Sequence, residues 1–365
     1  MRRSTIRDIA AAVGTSPATV SKVLTERGDD LISDTTRQRI RDMARELGYS
    51  PNLAARALVT GRTHCIALWA ETLADYHSMV ANVLLDVVRP SHYEMVITDV
   101  VKHPDWHAHF QRNAPWPVDG IIALDSPQSV EAYLATSAGR NAPVVSIGAY
   151  YVAHTDHVGV DLGAGVREAA RHLAEQDCER IAHLTCGHGM RPGDARRLAY
   201  EDTMRELGRE PLFLVTDESS REDARLLVHH LARRGDLPDA LLCFNDEIAI
   251  GAYRGLIEMG VRIPDDVALT GCDGILDTAY FNPPITTIIQ PVNELCQAAW
   301  ECLKKRLDRP DIPLQSRLLN GVLAVRESSL RKTPEGGSEQ AGQPEHGRCS
   351  SHAHLDQMGD PQSRR

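Results

Sequence analysis

Pro17, Ala18, Ser21 and Lys22 put small, hydroxylated and basic groups on the outward face of a short helical pattern. That chemistry suits a DNA groove. Lys22 can donate to guanine O6 and N7 as a point charge, and Ala18 can offer a methyl contact to thymine. Farther on, Arg56 suits phosphate contact and Leu58 an apolar wedge in a minor groove. A second set, Asp161, Arg197, Asn245 and Asp273, stands at strand ends or helix starts. Arg197 with Asp273 would supply one fixed donor fork and one acceptor, a way to hold a polyhydroxylated ligand. Trp69 and Glu71, at the end of the first apolar strand, are further candidates, and Asp246 is placed to N-cap its helix.

Reactive constellations are not found. There is no G-x-S-x-G, no Walker loop and no H-E-x-x-H. His103, His107 and His109, and Cys186 with His188, fall in loops without a complete ligand set, so no metal is expected. Gly163-Ala-Gly165 lacks the rest of a dinucleotide fingerprint and reads as the start of a helix. No cofactor and no catalysis are expected.

The elements that would position the first set lie in residues 5–47. Ile6, Ile9, Ala10 and Val13 recur at helical spacing, with Thr5 as a cap and Asp8 in the first turn. Gly14 turns the chain. Ser16 caps a second helix that starts with Pro17, where a missing N–H costs nothing, and Val20, Val23 and Leu24 face inward. Ser33 caps a third helix to about Leu47, buried along Ile40, Met43, Ala44 and Leu47, with Gly48 as its stop. The first two helices alone also fit an ordinary helical hairpin. After the Tyr49-Ser-Pro-Asn52 break, Leu53–Leu58 is too short to be stable alone and reads as a hinge helix.

Charge is distributed unevenly. The chain of 365 residues has a formal net charge of −10, yet residues 1–62 hold 11 Lys/Arg and 7 Asp/Glu, a net of +4, which leaves −14 for the rest. A basic head on an acidic body directs the head toward phosphates. No run of about 18 apolar residues occurs, so no membrane span is expected, and the start of the chain lacks a signal-peptide pattern. The eight cysteines form no C-x-x-C pair, and most fall in apolar patterns, as reduced core residues of a cytosolic protein would.

From His64 the pattern alternates. Residues 65–69, 93–98, 120–124, 144–147 and 158–160 read as strands of a first βα run. Residues 180–185, 212–215, 240–244 and 267–270, with helices near 193–207, 222–234 and 246–259, form a second. Two such runs imply two doubly wound lobes with a ligand cleft at the carboxyl ends of their strands. From about Lys332 few large apolar residues remain and no heptad occurs, so disorder is expected.

The head resembles the lactose-repressor (LacI) family of bacterial transcription regulators. The matching residues are Thr5-Ile-x-Asp8-Ile-Ala, Val13-Gly-x-Ser16, Ala18-Thr-Val-Ser-Lys-Val-Leu24, Ser33-x-x-Thr36-Arg37, Leu47-Gly-Tyr-x-Pro-Asn52 and Ala55-Arg-Ala-Leu58. The similarity continues to about residue 329. The resemblance implies a helix-turn-helix headpiece (1–50), a hinge helix (51–62), a periplasmic-binding-protein-like core of two parallel-sheet lobes (63–330) and a tail (331–365). It implies three chain crossings between the lobes, near 161, 290 and 310–320. Pro17, Ala18 and Lys22 would then read bases, and Thr5, Thr19 and Ser21 would contact phosphates. Ser16, Asn52, Arg56 and Leu58 complete the DNA set. Arg197-Leu-Ala-Tyr resembles the family's effector-binding R-L-A-G segment. The aromatic residue of the family's Gly-Asp-aromatic turn is missing from Thr216-Asp-Glu-Ser-Ser220. Thr25 replaces the usual Asn, and the loop to Ser33 is about two residues long for the family.

The function expected is that of a homodimeric, DNA-binding transcription regulator, a repressor in kind. It would read a near-palindromic operator and respond to a small molecule such as a sugar, in the cytoplasm and on the nucleoid. The alternative is a cytosolic sugar-binding protein or sugar-acting enzyme with a vestigial head.

Overall fold

The computed structural model describes residues 4–24, 32–49, 57, 61–99, 118–136 and 142–331. Asn52, Arg56 and Leu58, most of the hinge, the histidines at 103–109 and the tail from 332 lie outside the described residues.

Local capping chemistry sets the three helices of the head. Helix α1 (Ile6–Val13) starts in a reciprocal box: Thr5 N–H donates to Asp8 Oδ2 at 2.8 Å, and Asp8 N–H donates to Thr5 Oγ1 at 3.4 Å. It ends on Gly14 at φ 73°, a left-handed turn that glycine adopts without steric cost. Helix α2 (Pro17–Leu24) starts from Ser16, whose Oγ accepts Thr19 N–H at 3.1 Å. Helix α3 (Asp34–Glu46) starts from Ser33, which accepts Thr36 N–H at 3.3 Å. Ile9, Val13, Val20, Val23, Ile40 and Ala44 close a small core between them, with Leu24, Met43 and Leu47 partly buried around it. Arg39 Nη2 donates to Val13 O at 3.1 Å and ties α3 to the end of α1.

Lobe 1 contains β1 (Cys65–Ala70), α4 (Asp75–Val88), β2 (Glu94–Asp99), β3 (Gly120–Leu124), α5 (Pro127–Leu134), β4 (Val144–Gly148) and β5 (Asp156–Asp161). Lobe 2 contains α6 (Leu162–Glu175), β6 (Ile181–Cys186), α7 (Ala195–Glu206), β7 (Leu212–Thr216), α8 (Arg221–Arg234), β8 (Ala240–Cys243), α9 (Asp246–Glu258), β9 (Ala268–Asp273) and β10 (Thr286–Ile289). The chain then returns through α10 (Val292–Asp308) and β11 (Ser316–Asn320) to lobe 1, and ends with β12 (Val322–Ala324) in lobe 2. The sheet orders are β11-β5-β4-β3-β1-β2 and β12-β10-β9-β8-β6-β7. All pairings are parallel except that of β10 with β12.

The expected strands therefore stand, and the sheets extend beyond them with β10, β11 and β12. The crossings fall after Asp161, at Gln290 and at Gly321, the last one residue beyond the expected range. Gly321 is tight: a Cβ there would lie 2.9 Å from Ile288 Cγ2. Helix α10 packs on lobe 1, where Leu303 fills the space a side chain at Gly120 would need. Order reverses between β1 and β3 in lobe 1 and between β6 and β8 in lobe 2, and open parallel sheets receive ligands at such points. Cys178, Cys186, Cys243, Cys272, Cys296 and Cys302 are buried free thiols, as their apolar context predicts. Arg331, assigned to the tail by sequence, is packed on lobe 2: its N–H donates to Gln176 Oε1 and its Nη2 to Asp265 O.

Candidate nucleic-acid interface and effector cleft

In the head, Pro17, Ala18 and Lys22 are exposed on α2, and Ser21 and Thr19 are half-buried. Ser16, Ala18, Thr19, Lys22, Ser33 and Thr36 line one shallow groove between α2 and the start of α3. Two helix N-termini thus meet at a surface carrying hydroxyls and a lysine, an arrangement that attracts phosphate oxygens. Thr5 Oγ1 sits 2.8 Å from Asp8 Oδ2 within the α1 cap. Ser33 and Thr36 join the sequence-derived set. Their capping spacing is visible in the chain, but their place beside Ala18 is not.

The second site lies between the lobes, and its arginine is not the expected one. Arg197 turns away: its Nε donates to Glu201 at 2.8 Å, its Nη1 to Met190 O at 2.9 Å, and its guanidinium lies 6.0 Å from the Phe213 ring centre. Arg196 enters the cleft instead and is buried. The reason is helical phase. Arg196, Ala199, Tyr200 and Thr203 form the buried i, i+3, i+4, i+7 face of α7, and Arg197 pairs with Glu201 on the adjacent face. Arg196 Nη2 donates to Tyr150 Oη of lobe 1 at 2.9 Å and to Asp194 Oδ2 at 3.3 Å. Its guanidinium stacks 3.4 Å above the Phe244 ring centre. Phe244 thereby supplies a cleft aromatic ring, whereas Ser219, in the turn where the family ring is missing, takes a hydrogen bond from Asn245 Nδ2 at 2.7 Å.

Asp273 is where the sequence places it, at the end of β9. Its backbone is at φ 126°, and its Oδ1 accepts Gln290 Nε2 at 2.8 Å. Gln290 Oε1 in turn accepts Tyr76 Oη of lobe 1 at 2.9 Å. Burial, reinforced by the charge of Asp246, pushes the Asp273 carboxyl well above the usual range. Asp125 follows β3 in lobe 1 and accepts Ala149 N–H at 2.7 Å, and burial raises its carboxyl as well. His77, facing Asp125, is held below its ordinary value by burial.

The remaining candidates divide. Asp246 does not cap α9; Asn245 does, accepting Ile248 N–H at 3.0 Å. Asp246 is fully buried and accepts Ile275 N–H at 2.9 Å and Thr287 Oγ1–H at 2.6 Å, and burial pushes it up to about 6. Asp161 caps α6 through Ala164 N–H at 3.0 Å. Glu71 stands half-buried just past β1. Trp69 belongs to the lobe 1 core, edge-on to Tyr133 at 5.2 Å, because the alternation of β1 turns it toward α5 with Ala67. Tyr76, Asp125, Tyr150, Arg196, Phe244 and Gln290 were missed. The signal open to sequence reasoning was a carboxylate at the carboxyl end of an apolar strand: Asp125 directly follows β3, and Asp273 is the last residue of β9. Among the described residues no three His, Cys, Asp or Glu side chains are placed to hold a metal, and no helix is long and apolar enough to cross a membrane.

Comparison with known proteins gives two family-model matches. Residues 5–52 match the model described as bacterial regulatory proteins, lacI family, and residues 170–329 match a periplasmic binding protein-like domain. The chain is 31% identical over 306 residues to the HTH-type transcriptional regulator DegA of Bacillus subtilis, covering 80% of this chain and 88% of that protein. It is 26% identical over 328 residues to the ribose operon repressor of Halalkalibacterium halodurans, covering 89% and 97%. Its fold superimposes on a lac repressor dimer bound to operator and an anti-inducer with a TM-score of 0.77 at 23% identity, covering 90% of this chain and 100% of that one.

Proposed function

The chain belongs to the lacI family of bacterial regulatory proteins, and on that premise we propose how its two sites work together. It is a DNA-binding transcriptional repressor whose operator affinity is modulated by a small molecule, and it acts by binding, without catalysis. The observation that carries this reading is the union in one chain of a capped helix-turn-helix head and a two-lobed core that brings Arg196 and Asp273 to its cleft. The rival reading, a sugar-binding protein or enzyme with a vestigial head, conflicts with the intact caps and core of that head.

In this reading α2 lies in the major groove. Lys22 reads guanine, Pro17 and Ala18 make close apolar contacts, and Thr5, Ser16, Thr19 and Ser21, together with Ser33 and Thr36, meet the phosphates. Two heads of a homodimer address a near-palindromic operator with half-sites about one turn apart. Asn52, Arg56 and Leu58 would serve the hinge, with Leu58 wedged into the minor groove. A sugar or related metabolite is held between the lobes by Arg196 and Asp273, with Asn245, Asp161 and Glu71 at the rim. Ligand binding alters how the lobes align and so the spacing of the two hinges. The protein works in the cytoplasm, on the nucleoid when bound to its operator.

Selection of bound sequences from a random duplex library, followed by anisotropy titrations with and without a sugar panel, tests this. A recovered near-palindrome bound at least about 1,000-fold more tightly than random duplex, with affinity falling steeply in salt, is expected. Equal weak binding to both would refute it.

A further inference from the structure

Two tyrosines of lobe 1 cross the cleft. Tyr150 comes from the turn after β4. Gly148 makes that turn at φ 109°, and a Cβ on it would come within 2.3 Å of Asp125 Oδ1, so the position suits glycine alone. Asp125 Oδ1 accepts Ala149 N–H at 2.7 Å and fixes the chain just before the tyrosine. Tyr150 Oη then accepts Arg196 Nη2–H at 2.9 Å and lies 3.4 Å from Asp194 Oδ2. Tyr76 comes from the first turn of α4 and is buried. Its Oη donates to Gln290 Oε1 at 2.9 Å, and Gln290 Nε2 donates to Asp273 Oδ1 at 2.8 Å.

Each bridge ends on a group assigned to the effector, Arg196 in one and Asp273 in the other. A phenol hydroxyl donates and accepts as a sugar hydroxyl does. Burial pushes both phenols above their ordinary value, so they stay protonated in this role. Arg196 has little freedom to meet a ligand elsewhere. Its guanidinium is stacked 3.4 Å above the Phe244 ring centre, and its Nη2 is shared between Tyr150 and Asp194. A ligand hydroxyl that takes the Tyr150 side of Nη2 must therefore displace Tyr150. A ligand that takes Asp273 Oδ1 must likewise release Gln290, and with it the link to Tyr76.

We infer that Tyr150 and Tyr76 are positioning residues that substitute for effector hydroxyls. They hold the lobes together in the effector-free protein, and an effector enters by exchanging places with them. The first part stands on the bridges themselves; the exchange rests on the cleft being the effector site. An effector then replaces one set of bridges by another instead of closing an open cleft. Its affinity is lowered by the fraction of protein that is bridged by its own side chains.

The test is hydrogen exchange of the full chain, read by mass spectrometry for the wild type and the double variant Tyr76→Phe, Tyr150→Phe. Without added sugar, amides in segments 74–80, 149–153 and 188–196 should exchange at least about tenfold faster in the double variant. Strands β6, β8 and β9 should keep their protection, which shows that lobe 2 is still folded. Equal exchange in the two proteins overturns the inference. If the strands lose protection as well, Tyr150→Phe alone decides, by calorimetry with ribose, glucose, galactose and cellobiose. Tyr150→Phe should tighten any of these that the wild type binds, by about three- to tenfold, because the bridge no longer competes. Weaker binding would make Tyr150 an ordinary ligand contact and overturns the inference too. The two readings fail separately. If operator affinity answers to none of the sugars while the exchange difference holds, the bridges stand and the effector reading loses. A sugar response without an exchange difference gives the reverse.

Discussion

Arg196 carries a buried positive charge that touches both lobes, and Arg197 beside it carries one that serves its own helix turn. Removing Arg196 leaves Asp194 and Tyr150 without their partner in a water-poor cleft, the costly case for a buried pair. Arg196→Ala is therefore expected to weaken effector binding by about 100-fold or more, while Arg197→Ala stays within about threefold, both read by calorimetry. Equal effects would put the wrong arginine in the cleft. Adjacent arginines look alike in a motif, and only the phase of the buried face of α7 distinguishes them. Asp246 yields a pH expectation. Its carboxyl is raised to about 6 by burial, so the folded state binds a proton more readily than the unfolded chain. Stability is then greatest below the unfolded value near 4 and is lost as pH rises through about 6. The melting temperature of the wild type should fall relative to Asp246→Asn between pH 4 and pH 7, and parallel curves would show that Asp246 does not titrate there.

At the scale of elements, the head shows how short helices survive. None of α1, α2 and α3 is long enough to stand alone, so their stability depends on caps and on a core centred on Ile9, Val20 and Ile40, all fully buried. Ile40→Ala removes a side chain from the meeting point of the three helices and should cost about 2–5 kcal/mol, enough to unfold a head of this size. Operator binding should be lost and the melting transition of the core retained, as calorimetric scanning would show; loss of both transitions would mean that head and core fold as one unit. These caps and faces were legible because they are written within four residues of one another. The parallel strands were legible too, as continuous apolar runs bounded by turns. Strands β10, β11 and β12 were not. They are 4, 5 and 3 residues long and include Thr286, Thr287, Ser316 and Arg317, so no apolar run announces them. Helix α10 has an amphipathic stripe through Leu295, Ala299 and Leu303, but which lobe receives it depends on the crossing at Gln290, not on its own pattern. The cleft was half legible for the same reason. A residue at a strand end, such as Asp273, can be placed from sequence. A pair such as Tyr150 and Arg196, brought together from two lobes, cannot.

At the scale of the molecule, bridges beside the cleft tie the lobes together in addition to the three crossings. Inside it are Tyr150 with Arg196 and Tyr76 with Gln290. Outside it, where the N-termini of α4 and α8 approach, Arg221 Nη2 meets Asp75 Oδ2 at 2.6 Å while its Nε and Nη2 hold Glu247 at 2.8 and 2.9 Å. The start of α8 is fixed by close packing on α9, since a Cβ at Gly251 would come within 2.0 Å of Arg221 O. Asp75 reaches the arginine from a left-handed backbone, φ 26°, a conformation that an aspartate adopts at some cost unless its surroundings impose it. This pair crosses from lobe 2 to lobe 1 without touching the ligand groups, so it adds to closure alone. Its side chains are 43% and 32% exposed, which limits its contribution to about 0.2–1 kcal/mol, or a factor of about 1.4–5 in the ratio of closed to open lobes. Arg221→Ala should therefore weaken, by about 1.4- to fivefold, any effector that binds the closed lobes, with the hydrogen bonds at Arg196 and Asp273 intact. Raising salt from about 0.05 to 0.5 M shortens the Debye length to a few ångströms and should bring the wild-type affinity for a neutral effector toward that of Arg221→Ala, while the variant changes little. Isothermal titration at both salt concentrations decides it: equal affinities at low salt, or the same salt dependence in both proteins, would mean that the Asp75–Arg221 bridge follows closure without stabilising it.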